Sequence, residues 1–187
     1  GGSYGDGDVK VSGNAIIANA ESARYGSGIG AGQGSLRDNI STVGKVTIEG
    51  NAKIENAKSG YGGSGIGGGA LGTGDVTIEG NVTIENARGG ASAAGIGGGA
   101  ETEPDTKDTR NKVSIKSTKA GSPDITATGG GASDGSLPGA AAIGSGSVAD
   151  GANEVKSDIT IEGKVTINAT GGGNVAIGDS TGETKFE

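Results

Sequence analysis

The chain has 187 residues and a formal net charge of −7, with 43 Gly, three Tyr, one Phe and no Cys, His, Met or Trp. Leu, Ile, Val and Phe together number 32, too little large apolar volume for a conventional globular core and, at this charge, a proportion typical of disordered chains. These residue types exclude a His/Cys zinc site, a cysteine nucleophile and a Ser-His relay, and the acidic balance argues against nucleic acid or an anionic membrane as partner. No apolar run is long enough for a transmembrane helix, so membrane insertion is not expected. Order can come only from a repeat that stacks small amounts of apolar surface many times.

Such a repeat opens at Val9, with VKVSGNAIIANAESARYGSGIGAG. It recurs as VTIEGNAKIENAKSGYGGSGIGGGA from Val46 and VTIEGNVTIENARGGASAAGIGGGA from Val76. Looser copies follow: VSIK, DITATGGG and AAAIGSG in turn from Val113, and ITIEGKVTINATGGGNVAIGD from Ile159. In the first three units the Ile of GIG (Ile29, Ile66, Ile96) lies 20 residues after the opening Val, so the frame is rigid in length. Inside a unit the apolar period is two. Val76 and Ile78 flank Thr77, Val82 and Ile84 flank Thr83, and Ile96 sits between Gly95 and Gly97. Each unit therefore reads as three short strands separated by Gly-Asn and Gly-rich turns.

Antiparallel hairpins would not explain why like residues return at the same place in successive units. One unit per turn of a coil does explain it, because like residues then stack in parallel at about 4.8 Å. The expected fold is all-β: a three-sided parallel β-helix, right-handed by the general preference of parallel crossovers. Left-handed hexapeptide helices need a period of six, which is absent. Residues 1–187 form a single domain of about five coils, starting near 9, 46, 76, 113 and 159. One wall stacks Val9/Val11, Val46/Ile48, Val76/Ile78, Val113/Ile115 and Ile159/Ile161. A second stacks Ala15/Ile17, Ala52/Ile54, Val82/Ile84, Ile125/Ala127 and Val165/Ile167. The third holds Ile29, Ile66, Ile96, Ile143 and Ile177. GGSYGDGDV at the start resembles the junction between coils two and three, which predicts a segment of a longer array.

The outward positions carry the candidate sites. Asn14, Asn51 and Asn81 at the first turn, and Asn19, Asn56 and Asn86 after the second strand, are expected to stack as amide ladders. Lys10, Thr47, Thr77, Ser114 and Thr160 form a narrow, interrupted Thr row, of which ice binding is a minor reading beside plain strand propensity. Glu49 over Glu79 and Glu55 over Glu85 place like charges on adjacent coils, offset by Lys53, Lys116 or a cation; oxygen-only ligands suit Ca²⁺. Gly28, Gly30, Gly65, Gly67, Gly95 and Gly97 leave a strip of bare backbone, either a packing surface or a local need for glycine. Variable segments 31–45, 68–75, 98–112 and 145–158 leave one corner and 129–141 enters beside them, the usual place for a recognition surface. Tyr25 and Tyr61 lie just before their GIG strands and should be neighbours, able to stack on sugar rings or on each other. The stretch Glu101–Asn111 reads as a solvated loop. The Asp residues fall in turns and insertions rather than on one strand face, so neither lyase nor hydrolase chemistry is expected and the chain reads as non-enzymatic.

The SGIGGGA and AGIGGGA strands, preceded by VTIEGNVTIENA, resemble repeats of large cell-surface proteins of Gram-positive gut and oral bacteria. The resemblance covers nearly the whole chain and is weakest over the last two units. It implies a secreted or surface β-helical stalk of adhesin-like or carbohydrate-binding type. Its partner would be a glycan, a host surface protein or another copy, and it needs no cofactor beyond the calcium considered above. A purely structural spacer or self-assembling fibre element, packing through the glycine strip, is the main alternative.

Overall fold

The computed structural model describes residues 4–35, 37–38, 40–100, 110–133, 137–148, 155–173 and 175–178, and the backbone of 184–186. None of these residues is helical. The strands fall into three sheets, each paired in parallel from coil to coil. The first sheet stacks Gly7–Val11, Thr42–Gly50, Gly72–Gly80, Arg110–Lys116, Lys156–Glu162 and Thr184–Phe186. The third stacks Ile29–Gly30, Ile66–Gly67, Ile96–Gly97, Ile143–Gly144 and Ile177–Gly178. Between them, the second is split in coils one and two into short pairs such as Lys53–Ile54 and Ala57–Ser59, and runs as single strands in Thr83–Arg88, Asp124–Thr128 and Thr166–Thr170.

Register follows the inward residues. Val9, Val46, Val76, Val113 and Ile159 lie on successive rungs, as do Val11, Ile48, Ile78, Ile115 and Ile161. On the third side the isoleucines pair from Ile29 to Ile177 in the expected sequence. Ile48, Ile54, Ile66, Ile78, Ile84, Ile96, Ile115, Ile125 and Ile143 are all 0–1% exposed. Burial of one such side chain contributes roughly 2 kcal/mol, and here each is covered above, below and from the two other walls. That is how so few large residues sustain order.

The second wall departs from the expected register in the fourth coil. Ile125 pairs with Ile84 and Ile167, and Ala127 pairs with Ala87 and Ala169. Alternation along the sequence instead places Ile125 one inward position earlier, level with Val82. Coils one to three carry an extra residue between the two inward positions, as in Ile54–Ala57 and Ile84–Ala87, whereas Ile125–Ala127 alternates without interruption. The register shift between Ile84 and Ala87 is that bulge, in which one residue is left without a rung partner.

Two further expectations change. The variable segments 31–45, 68–75, 98–112 and 145–158 are not simply loops, because Thr42–Lys45, Gly72–Asp75, Arg110–Lys112 and Lys156–Asp158 already belong to first-sheet strands. A further strand, Thr184–Phe186, pairs with Ile159–Ile161 and opens a sixth rung beyond the five coils counted from the repeat. Residues 101–109, 149–154 and 179–183 lie outside the described residues, so most of the expected loop Glu101–Asn111 does too. Asn111 itself is not solvated. It is 0% exposed, faces inward at the position held by Gly44 and Gly74 in earlier coils, and its Oδ1 accepts a hydrogen bond from Gly74 N at 2.9 Å. Its Nδ2 has no partner among the described residues.

Candidate functional site

Outward positions on the first sheet form straight columns, because each rung repeats the same side-chain direction. Lys10, Thr47, Thr77, Ser114 and Thr160 occupy one column. Beside it run Glu49, Glu79, Lys116 and Glu162. The predicted stacking of Glu49 on Glu79 is present, but cations already serve the column: Lys10 pairs with Glu49 at 2.8 Å and Lys116 with Glu162 at 2.6 Å. The hydrogen bond to Glu162 holds the Lys116 ammonium above its ordinary range. On the second sheet Lys53 lies between Glu85, at 2.8 Å, and Glu55, at 3.1 Å, and these two bonds raise its pKa in the same way. Among the described residues no three acidic side chains converge on a point that a metal ion would need.

The other first-sheet column alternates in sign from coil to coil: Asp8, Lys45, Asp75, Lys112, Asp158. Sequence reasoning missed it, although each member immediately precedes the opening apolar residue of its unit. Like charges on adjacent rungs repel and opposite ones attract, so the alternation favours the observed register. The first amide ladder forms as expected, whereas the second joins only Asn86 to Asn56 and reaches the first coil through its backbone instead of Asn19. Asn51 donates to Asn14 at 3.0 Å, Asn81 to Asn51 at 3.4 Å and Asn86 to Asn56 at 3.1 Å, while Asn56 donates to Ala18 O at 3.2 Å.

The glycine strip is not an open surface. Gly30, Gly65, Gly67, Gly95 and Gly97 are buried and Gly28 is half-buried. Gly30, Gly67 and Gly97 adopt φ of +134°, +127° and +128°, and a Cβ on each would lie 2.0–2.2 Å from the carbonyl oxygen of the glycine one coil on. A Cβ on Gly28, Gly65 or Gly95 would meet backbone at 2.6–2.7 Å. The glycines are thus required by the approach of one coil to the next.

The concave features lie at the corner between the second and third sheets. Tyr25 and Tyr61, on successive coils, meet edge-to-face with ring centroids 5.4 Å apart and interplanar angle 88°. Both remain exposed, at 37% and 43%. Behind them a cleft of about 50 Å³ is walled by Leu71, Ala91, Ala100 and Leu137. A larger groove of about 770 Å³ shares Ala91 with that cleft and crosses four coils, from Glu21–Ala23 through Lys58–Gly60 and Arg88–Ala91 to Gly130–Ala132. Ser59, lining it, sits 3.0 Å from Arg24 O and 2.9 Å from Gly26 O and ties down the preceding coil. Sequence reasoning found the tyrosines and missed the groove. Its charged residues Glu21, Lys58 and Arg88 each stand 12 residues after the opening Val of their unit, a signal present in the repeat alignment.

Three in-register parallel sheets wound as successive coils define the molecule as a parallel β-helix with three strands per coil. Comparison with protein-family models, with curated proteins and with solved structures yields no match.

Proposed function

We propose that this chain is a non-enzymatic recognition segment of a bacterial surface or secreted protein, an adhesin-like stalk that binds glycan at the corner between its second and third sheets. The observation that carries the reading is the exposed Tyr25–Tyr61 pair, standing beside a groove that crosses four coils. Aromatic rings with free faces stack on the apolar faces of sugar rings, and recognition surfaces favour concave sites with few polar groups. The surface setting is taken from the resemblance of the repeats. The competing reading is a spacer or fibre element, favoured by the continuous apolar core and by the amide ladder of the first three coils, which make a stiff rod whether or not it binds anything.

A glycan array of the folded chain, run with calcium and again with chelator, separates the two. Binding to one glycan class that is lost in Tyr61→Ala, with the β-sheet circular dichroism unchanged, supports recognition. A blank array from folded protein overturns it in favour of the spacer.

A further inference from the structure

The groove has a polarity that the chain as a whole does not. On its wall, Glu21, Lys58, Arg88 and Thr128 occupy one column on consecutive rungs. Lys58 Nζ stands 3.9 Å from Glu21 Oε1, at the limit of an ion pair, and Arg88 makes no ion pair or side-chain hydrogen bond among the described residues. Two adjacent cations therefore face a single carboxylate at one end of a cleft, in a chain whose net charge is −7. The first-sheet column behaves differently, since there each lysine has an aspartate on the neighbouring rungs. The groove floor is nearly bare. Gly60 and Gly131 leave backbone exposed to an occupant, and beside Glu21 the first coil contributes only the small side chains of Ser22 and Ala23.

We propose that the groove binds a linear anionic polysaccharide of the polyuronate class, with Lys58 and Arg88 taking the carboxylate oxygens on the side of the chain that faces them. This inference rests on the glycan-recognition reading above and names its ligand class. Two features favour a sugar chain over an acidic peptide. The groove runs across the coils, where rungs recur at about 4.8 Å, so the two cations follow one another along the length of a linear chain laid in it. An extended peptide binds best by adding a strand to a free sheet edge. The backbone here is already bonded from coil to coil: Gly60 N donates to Ser22 O, Gly89 N to Thr128 O and Gly90 N to Gly63 O. Arg88 presents a planar fork suited to bidentate carboxylate binding, and Lys58 a compact charge beside it.

The test uses the full chain with three probes of similar length: alginate, a neutral linear glucan and poly-L-glutamate, each at low and at physiological ionic strength. Alginate is expected to bind best and to weaken as salt rises. Lys58→Gln and Arg88→Gln should each lower its affinity roughly tenfold, with thermal unfolding unchanged, while Lys119→Gln, an equal loss of charge outside the groove, should leave it intact. If glucan binds as tightly as alginate and both groove variants are silent, the anionic assignment fails while glycan recognition stands. If poly-L-glutamate binds as well as alginate, the groove is a general polyanion site and the saccharide assignment fails. If neither alginate nor the glucan binds, this inference fails, while the glycan array decides the reading beneath it.

Discussion

Three glycine-to-alanine substitutions test the fold where it is least forgiving. Gly97 has φ +128°, and a Cβ there would stand 2.0 Å from Gly144 O, about an ångström inside any real contact. The chain can relieve this only by opening the rung between coils three and four. That rung is held by Ile96 N to Ala142 O at 2.8 Å and Gly98 N to Gly144 O at 2.9 Å, and an added ångström takes both beyond hydrogen-bonding range. Two lost bonds at about 1 kcal/mol each and backbone strain of about 1–2 kcal/mol give an expected loss of about 3–4 kcal/mol. Gly13 also has positive φ, +68°, but a Cβ there meets nothing within 4 Å, so only strain remains, about 1 kcal/mol. Gly131 has open space and no positive φ, so alanine is expected to be neutral or to stabilise by about 0.5 kcal/mol through the unfolded chain. Urea unfolding followed by circular dichroism should rank Gly97→Ala far below Gly13→Ala, with Gly131→Ala at or above the parent. A Gly97→Ala protein of parental stability would refute the close-approach explanation.

Three other outcomes follow from the same geometry. Ile78→Ala, at a fully buried central rung, should cost about 3–4 kcal/mol, whereas Thr77→Ala beside it should stay within about 0.5 kcal/mol; equal effects in urea unfolding would mean the inward and outward faces are misassigned. Asp75→Lys places lysines on three consecutive rungs with Lys45 and Lys112, and should destabilise by about 1 kcal/mol at low salt, fading as salt screens the column; a loss independent of salt would count against register selection by charge. The Lys53 ammonium is raised from 10.5 by its bonds to Glu85 and Glu55, so its contribution to stability is complete below the unfolded value and is lost as pH rises through the higher folded value. The melting-temperature gap between parent and Lys53→Gln should therefore hold constant from neutral pH to about 10 and close above that; a gap that closes instead on acidification would assign the effect to other groups.

Much of this architecture is local in the sequence and was legible there. A two-residue apolar period inside a frame of constant length forces like residues into superposition, and Val46, Val76 and Val113 then stack because no other arrangement buries them all. The Tyr25–Tyr61 contact followed from the same frame, as did the Asn14–Asn51–Asn81 ladder. Tertiary structure decided whatever depends on the distance from one coil to the next. Glycine in GIG reads as an exposed gap along the strand, yet Gly67 and Gly97 are buried, because the neighbouring carbonyl occupies the space a side chain would take. The loss of one bulge residue before Ala127 shifted the fourth coil's pairing, which alternation within that coil could not reveal. Asn111 reads as the end of a charged loop and is instead enclosed in the core, since the strand starts one residue before it. The groove at Lys58 and Arg88 is likewise a property of four coils together, for a concave surface exists only once the rungs are stacked.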